Sequence, residues 1–438
     1  MKSKSPDEAL TASIQNRYRP LVEVGRSGSL SWMLLAIIGC AFLLRFTISP
    51  QMLNMIMPYS TEGGSFPQKL HVGTYAIVLA LLLVMISRPI LLVGQEVRQF
   101  KAIFRYSAFI ILLVIYLMLS GRAGSAGFII DSYLVACCAG ATMLFIERPT
   151  RYVLGCIVLG MIIVSALIGT IEAISHHRFL PYNLRELEFR PTGLSGHPLA
   201  LGAVCAMAIG FVASTRWQIW IKALSITLLF VGVAASGARA ALLLAVCEIF
   251  FLLVFLPWPG LSPRHQREAK FYVFLLTLVA GAVLIGALYA AGFLSRFGNT
   301  LFDQNFDARV KIYDVFSYVS WNEILFGMGP NDLLKIVNEK LNLPYIESAP
   351  VTISLLFGIP IALVFAAAFF WLLYRLLCGA SLAAWIGTAT FLVTALSNNA
   401  LSSKAPDITI LVVLLLAFRT ESNDLQHIAR QVPHPQHR

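Results

Sequence analysis

The chain has 438 residues, of which 58% are hydrophobic and only 13% are charged, and its mean hydropathy is +0.76. Soluble domains carry about a quarter charged residues, and several apolar runs here approach or exceed the ~20 residues that cross a bilayer. The composition excludes a cytosolic enzyme, a secreted disulfide scaffold and a disordered tail protein. Basic cytosolic loops explain the net charge of +11 better than a nucleic-acid partner does.

The apolar runs predict an all-α polytopic membrane protein with about twelve transmembrane helices. Residues 1–30 are polar and form a cytosolic tail, residues 31–419 form the membrane domain, and residues 420–438 form a second cytosolic tail. The predicted spans are 31–48, 72–87, 104–120, 126–146, 152–173, 197–214, 219–235, 238–257, 271–292, 350–374, 381–397 and 405–419.

Basic residues recur in every second loop, which places both termini in the cytosol by the positive-inside rule. Three loops on the opposite, periplasmic face are long: 49–71, 174–196 and 293–349. The last loop is predicted to hold two short amphipathic helices, one capped by Asp307 and one opened by Gly329-Pro330-Asn331. Their predicted apolar faces are Ile312, Val315, Phe316 and Val319 in the first helix, and Leu333, Leu334 and Val337 in the second.

No metal or cofactor site is predicted. The seven cysteines show no CxxC spacing and lie in apolar runs, so we expect small buried side chains without disulfides. His176 and His177 are adjacent and would not face one another on a helix, and His197 has no metal-ligand partner at suitable spacing.

Ionisable residues gather at one membrane depth, the outer interface, although charge near a span is costly. A transporter would more often place such groups near the midplane, where only Glu248 falls. Arg45 and Arg296 also fit a role as interfacial anchors. The remaining outer-face groups predict a polar site and are Arg122, Asp131, Glu172, Arg190, His197 and Arg239.

Three predicted spans begin on the outer face with small residues beside an arginine. Pro198 starts the sixth span, Ser236-Gly237-Ala238-Arg239 the eighth, and Gly121-Arg122-Ala123-Gly124-Ser125 the fourth. Such helix starts attract anions, although ordinary capping is the alternative explanation for each. The pattern predicts a diphosphate receptor formed by Arg190, Gly196, Ser236, Arg239 and Arg122.

Four segments resemble the O-antigen ligase and Wzy-type polysaccharide polymerase superfamily, and most closely its exopolysaccharide polymerases. They are Arg190-Pro-Thr-Gly-Leu-Ser-Gly-His-Pro-Leu199, Ala235-Ser-Gly-Ala-Arg-Ala240, Ala308-Arg-Val310 with Leu325-Phe-Gly-Met-Gly-Pro330, and Ile346-Glu-Ser348. Ligases of this superfamily carry a His-Asn where this chain has Glu347-Ser348, which favours a polymerase.

The resemblance implies a GT-C-like helical bundle that joins undecaprenyl-diphosphate-linked oligosaccharides on the periplasmic face, without a cofactor. It implies that Arg190, Arg239 and Arg309 stabilise the diphosphate, and that Glu347 or His197 serves as the base. Pairing with Glu186 or Glu188 is the alternative for Arg190, and a helix-start hydrogen bond is the alternative for His197.

Three other functions stay open. A ligase that moves finished glycan to another acceptor would use the same site. A flippase or transporter of lipid-linked sugars would instead line a midplane cavity with charge, and a structural subunit of an envelope complex would use the long loop for docking. The expected partners are the lipid-linked oligosaccharide, membrane lipids and other polysaccharide-assembly proteins.

Overall fold

The structure is a computed structural model that describes residues 28–60, 65–182, 189–256, 262–290, 309–344 and 346–419. Most of these residues are helical, with no strand among them. The principal helices are α1 (Gly28–Thr47), α2 (Val72–Ser87), α3 (Gln95–Leu119), α4 (Ala123–Phe145), α5 (Arg148–Ser175), α6 (Pro198–Ala213), α7 (Ile219–Ala235), α8 (Arg239–Phe255), α9 (Pro263–Ala290), α10 (Trp321–Phe326), α11 (Pro330–Leu341), α12 (Ala349–Phe357), α13 (Ile359–Leu377), α14 (Leu382–Leu396) and α15 (Asp407–Ala417).

Within the described part of the chain, six helices are long and apolar enough to cross a membrane, namely α1, α3, α4, α5, α9 and α13. Five shorter apolar helices, α2, α6, α7, α14 and α15, pack among them. Many large apolar side chains on the outside of the bundle are exposed, as expected where the surrounding solvent is lipid. The chain is therefore a polytopic membrane protein.

The predicted helix boundaries agree best with the observed ones where polar residues flank an apolar run. Helices α2 and α7 span the predicted 72–87 and 219–235. In contrast, α3 begins at Gln95, nine residues before the predicted start at 104, because its amphipathic first turns bury Glu96 and Gln99 against neighbouring helices. Helix α9 also begins earlier than the predicted start at 271.

The predicted span 350–374 is two helices, α12 and α13, which are separated at Gly358. Gly358 has φ +86°, and a Cβ there would clash with the carbonyl oxygen of Leu325. Both its conformation and this close contact with the end of α10 therefore require glycine. Helix α4 is also irregular, with a π-helical turn at Ile130–Leu134.

Two helices form the centre of the bundle. Nearly every side chain of α6 and every side chain of α15 is buried. Helix α6 packs against α5, α7, α8 and α14, whereas α15 packs against α4 and α5. Both helices begin at the same end of the bundle, so their N-termini are held by the best-packed part of the molecule.

The opposite end of the bundle carries ion pairs between basic and acidic side chains. Glu96 accepts from Arg151 at 2.9 Å and from Arg148 at 3.3 Å, and Arg88 pairs with Glu147 at 3.5 Å. The basic residues of the predicted cytosolic loops thus gather at one end, with carboxylates beside them.

The segment 309–344 contains short helices, as expected. A turn of 3-10 helix at Ile312–Ser317 buries Ile312 and Val315, and α11 begins at Pro330 and buries Leu333, Val337 and Leu341. Leu334, predicted on the buried face, is 40% exposed because the buried positions of this helix recur every four residues. Asp307 lies outside the described residues.

All seven cysteines are free. Cys137 and Cys205 are buried. Cys40 is exposed on the surface of α1, so the expectation that every cysteine is buried was wrong there. Four others are only partly buried, namely Cys138, Cys156, Cys247 and Cys378.

Candidate functional site

A cavity of about 760 Å³ opens at the end of the bundle where α6 and α15 begin. Its lining is rich in amide and hydroxyl side chains, including Asn331, Asn398 and Asn399, with Tyr59 among its aromatic residues. Amides and hydroxyls both donate and accept hydrogen bonds, which suits a ligand with many hydroxyl groups. The volume lies in the range of small-ligand sites.

Two of the three predicted anion-attracting helix starts line this cavity. They are Ala123-Gly124 at the start of α4 and the segment from Gly196 to Ala200 at the start of α6. The start of α11 at Pro330 and that of α15 at Asp407 also line it. The amide groups at these starts give the cavity a positive local field.

The third predicted helix start, at α8, does not line the cavity. Ser236 was expected to cap α8, but it ends α7, and Ala238 is the residue that precedes α8. The Ser236 hydroxyl donates to the carbonyl of Val233 at 2.7 Å and accepts the N–H of Ala238 at 3.2 Å, so it tightens the turn between the two helices. Arg239, half-buried, is the first residue of α8.

His197 lies at the cavity and precedes α6, as the sequence predicted. Its Nδ1 accepts the N–H of Leu199 at 3.2 Å. Desolvation, together with the nearby charges of Arg190 and Arg178, lowers the pKa of His197 to about 4. The imidazole is therefore neutral at physiological pH, and because Nδ1 accepts, the proton resides on Nε2. In this tautomer His197 donates a hydrogen bond to a ligand and is not a base.

The lowered pKa of His197 predicts a loss of stability in mild acid. The unfolded chain takes up the proton first as the pH falls below the ordinary value of 6.5, so the folded state loses stability down to about pH 4. At about pH 5 the loss is about 2 kcal/mol. His197→Asn keeps a side-chain acceptor that can cap α6. We expect this variant to lose that part of the acid sensitivity. The measurement is thermal unfolding of wild type and variant at neutral pH and at about pH 5.

The exposed His265 provides the matched control, because His265→Asn should leave the acid sensitivity unchanged. Equal acid sensitivity of wild type and His197→Asn would contradict the assignment of a neutral His197.

Arg190 links the predicted site to the turn before α8. Its Nε donates to the carbonyl of Ser236 at 3.1 Å. Its own carbonyl accepts from two nitrogens of Arg178, at 3.0 and 2.8 Å, and Arg178 lies over the ring of Tyr182. Arg190 thus sits between His197 and the start of α8, in a short cluster of basic groups. Glu186 and Glu188, the alternative partners of Arg190, lie outside the described residues.

Glu172 organises the loop that carries Arg190 and His197. Its buried carboxylate accepts the N–H groups of Phe179 at 3.0 Å, Thr192 at 2.8 Å and Gly193 at 2.9 Å. Both ends of the loop are therefore fastened to the last turn of α5. The sequence marked Glu172 as an outer-face charge but did not indicate this role, because its partners are backbone groups that leave no sequence pattern.

Arg309 and Glu347, 38 positions apart in the sequence, form an ion pair at 3.4 Å. Both side chains are partly exposed. Glu347 lies near the cavity wall, since the N–H of Ala349 donates to the carbonyl of Asn398 at 2.9 Å. Neither Arg309 nor Glu347 lines the cavity itself.

Arg122 connects the start of α4 to the segment 309–344. Its guanidinium donates to the carbonyls of Phe326 and Leu356, the latter at 3.1 Å, and to the hydroxyl of Tyr116 at 2.8 Å. These bonds satisfy carbonyls at the ends of α10 and α12. Arg122 thus holds the fold together at the position where it was predicted to bind a diphosphate.

The cavity contains two cations that the sequence reasoning missed, Lys69 and Lys404. The Lys404 ammonium donates to the carbonyls of Lys69 at 2.7 Å and Tyr59 at 2.8 Å. A signal was present in the sequence, because both lysines fall in loops predicted on the outer face, where the positive-inside rule disfavours them.

A buried carboxylate beneath the cavity fixes the backbone around these lysines. Asp131 accepts from the hydroxyl of Tyr59 at 2.9 Å, the hydroxyl of Thr74 at 2.7 Å and the N–H of His71 at 3.1 Å. Arg45 donates to the carbonyl of Asp131 at 2.8 Å. Arg45, expected as an interfacial anchor, is in fact 1% exposed.

Among the residues that the structure describes, no group of three or more His, Cys, Asp and Glu side chains could hold a metal ion. Comparison with known proteins found no matching family model, no matching curated protein and no matching solved structure.

Proposed function

We propose that this protein is a periplasm-facing membrane glycosyltransferase that polymerises undecaprenyl-diphosphate-linked oligosaccharide repeat units. The observation that supports it best is the cavity at one end of the bundle. It joins His197 and the starts of α4 and α6, which favour an anion, to amide and hydroxyl side chains, which favour sugars. The resemblance of the four sequence segments points to the same chemistry.

In the proposed reaction, a sugar hydroxyl of one lipid-linked unit attacks the anomeric carbon of the other. The new glycosidic C–O bond forms as the bond from that carbon to the phosphate oxygen breaks, and the lipid diphosphate leaves with the electron pair. Glu347 is the proposed acceptor of the hydroxyl proton, because neutral His197 carries its proton on Nε2 and donates instead. Arg309 beside Glu347 holds its carboxylate in place.

Arg190 and Arg239 are the proposed cations for the leaving diphosphate. Arg190 lies beside His197, and its bond to Ser236 brings it to the turn that begins α8 with Arg239. Negative charge on the diphosphate grows as the bond breaks, so cations fixed here stabilise the transition state more than the bound substrate. Gly196, with φ +70°, allows the chain to turn close to Ser49 in front of α6.

The proposed topology has twelve crossings of the bacterial inner membrane. The six span-length helices, the five shorter apolar helices and α8 make up the twelve, with α12 and α13 counted as one crossing. Both tails and the end of the bundle that carries the ion pairs of Glu96 are then cytosolic, and the cavity faces the periplasm.

The decisive experiment uses the purified full-length protein in nanodiscs with a lipid-linked oligosaccharide as the sole substrate. We expect elongated glycans on lipid, without a nucleotide sugar, and unchanged product in the presence of EDTA. Loss of product with EDTA and recovery with a divalent ion would contradict the proposed cation-based mechanism.

The ligase alternative predicts a different product in the same assay. A ligase leaves the repeat unit at its original length and transfers it only when a separate acceptor is added. In cells, deletion of the gene should cause single repeat units to accumulate on lipid for a polymerase, and full-length chains on lipid for a ligase.

A further inference from the structure

The short helix α10 presents large apolar side chains on the outside of the molecule. Trp321 is 78% exposed, Phe326 is 63% exposed, and Leu325 is exposed as well. Ile324 is the buried residue of this helix, which packs against α12 and α13. We call Trp321, Leu325 and Phe326 the α10 patch. A cluster of exposed apolar side chains of this kind marks a surface that contacts something other than water.

The C-terminal end of α10 lies level with the ends of two membrane-crossing helices. The carbonyl of Phe326 accepts from Arg122, which follows the end of α3. The carbonyl of Leu325 is in close contact with Gly358, which immediately precedes α13. Helices α3 and α13 are both long and apolar enough to cross a membrane. An element held at the ends of two such helices lies at the boundary between the hydrocarbon and the lipid headgroups.

The α10 patch continues a surface that is already in contact with lipid. Leu119 in the last turn of α3 and Leu363 near the start of α13 are both strongly exposed. Because these two helices cross the membrane, their exposed apolar side chains face acyl chains. The end of α10 is held between the two helix ends, so its patch borders on this lipid-facing surface.

The residue types of this segment are those of a membrane interface. Tyr313 and Tyr318, both exposed, precede Trp321 in the chain. Tryptophan and tyrosine gather at the edge of the hydrocarbon because the ring leaves water while the N–H or O–H group stays hydrated. An interface also accommodates a nearby charge, whereas the hydrocarbon does not.

The charged residue of α10 is used at the start of the helix. The Glu323 carboxylate accepts the N–H of Ser320 at 2.9 Å and its hydroxyl at 2.7 Å, and the N–H of Glu323 donates to that hydroxyl at 3.3 Å. This capping box fixes the first turn of the helix. The apolar patch is therefore carried by a short element with a defined start.

We propose that α10 is an interfacial anchor whose patch inserts into the leaflet at the cavity end of the bundle, at the boundary of acyl chains and headgroups. The segment 309–344, expected as part of a periplasmic loop, then lies partly in the membrane. The chain continues from Phe326 to Pro330, which lines the cavity, and the N–H of Met328 donates to the carbonyl of Leu355 at 2.8 Å on the way. The anchor thereby holds the cavity entrance near the lipid headgroups. This inference does not depend on the proposed function.

Fluorescence quenching locates Trp321 relative to the bilayer. The purified full-length protein is placed in nanodiscs of phosphatidylcholine that is brominated on its acyl chains, and iodide serves as the quencher in water. The chain has seven tryptophans, so the emission of Trp321 is the difference between wild type and Trp321→Phe. We expect brominated lipid to remove most of this emission and iodide to leave most of it.

Lys335→Trp provides the matched control, because Lys335 is exposed on α11, one helical turn from the exposed Glu339. The emission that it adds to wild type should be quenched by iodide and spared by brominated lipid. Quenching of Trp321 by iodide to the same extent as this control would overturn the proposal. Protection of Trp321 from both quenchers would show that a second copy of the chain or another protein covers the patch, and would overturn it too.

Phe326→Trp tests the other end of the patch and keeps the experiment decisive if Trp321→Phe is not monodisperse. The emission that this variant adds to wild type should be quenched by brominated lipid and not by iodide, because Phe326 lies beside the ends of α3 and α13. Iodide quenching at this position would place α10 in water and contradict the anchor.

Discussion

Arg190→Ala and Arg239→Ala are each expected to lower polymer formation about a hundredfold at unchanged protein level. Removing one preorganised contact to the charge that develops in a transition state costs about 3 kcal/mol. Arg→Lys should impair each position less, because lysine keeps the charge but cannot hold two phosphate oxygens at once. The measurement is the rate of chain elongation by purified variants in nanodiscs.

Arg264→Ala is the matched control for these arginines. Arg264 is 85% exposed and pairs with Glu268 one helical turn away, at 3.3 Å. Its variant should polymerise normally. Normal elongation by both Arg190→Ala and Arg239→Ala would show that the diphosphate binds elsewhere.

Glu172→Gln is expected to loosen the loop between α5 and α6 and to lower elongation by roughly a hundredfold. The carboxylate accepts three buried N–H groups, whereas an amide presents one oxygen and sets its own N–H₂ group against the remaining donors. The amide oxygen can replace Oε2 toward Thr192 and Gly193, so the bond from Phe179 is lost and the other two lose their charge assistance. Together these losses cost about 3 kcal/mol, which changes the population of the ordered loop roughly a hundredfold. Elongation should slow, and limited proteolysis should cut more readily within residues 176–196 in the same variant.

The exposed Glu268 again supplies a control, since Glu268→Gln removes a carboxylate that lies on the surface of α9. It should leave both proteolysis and elongation unchanged. An intact loop in Glu172→Gln combined with normal elongation would show that Glu172 does not position Arg190 and His197.

Much of the fold could be predicted from the sequence because lipid imposes long apolar runs and polar boundaries. The start of α6 at Pro198 is a clear case: proline fixes the first helical turn, and the histidine before it is forced out of the helix. The start of α11 at Pro330 follows the same rule. Breaks inside a span, such as Gly358, were not predicted, because the reason for the glycine is a contact with distant Leu325.

The site was predicted less well than the fold. The sequence pointed to the end of the bundle where the cavity opens and to His197, which lines it, since charge near a membrane is rare enough to be informative. It could not separate arginines that hold the fold together from cations that face a cavity. Arg122 bonds to carbonyls of Phe326 and Leu356, more than 200 positions away, and no local pattern reveals such partners.

The two ends of the bundle neutralise their cations differently, and this has a consequence for how fast a substrate is captured. Glu96 sits between Arg148 and Arg151 at one end. At the other end Arg122 and Lys404 hydrogen-bond to uncharged carbonyls and hydroxyls, the carboxylate of Asp131 is buried, and the ion pair of Arg309 with Glu347 is partly exposed. A carbonyl orients a cation without cancelling its charge, so the field at the cavity end extends about one Debye length, ~8 Å at physiological ionic strength. Under the proposed function, that field draws in a multiply charged lipid headgroup that diffuses in the leaflet. Added salt then slows the encounter and leaves the subsequent bond-breaking step untouched.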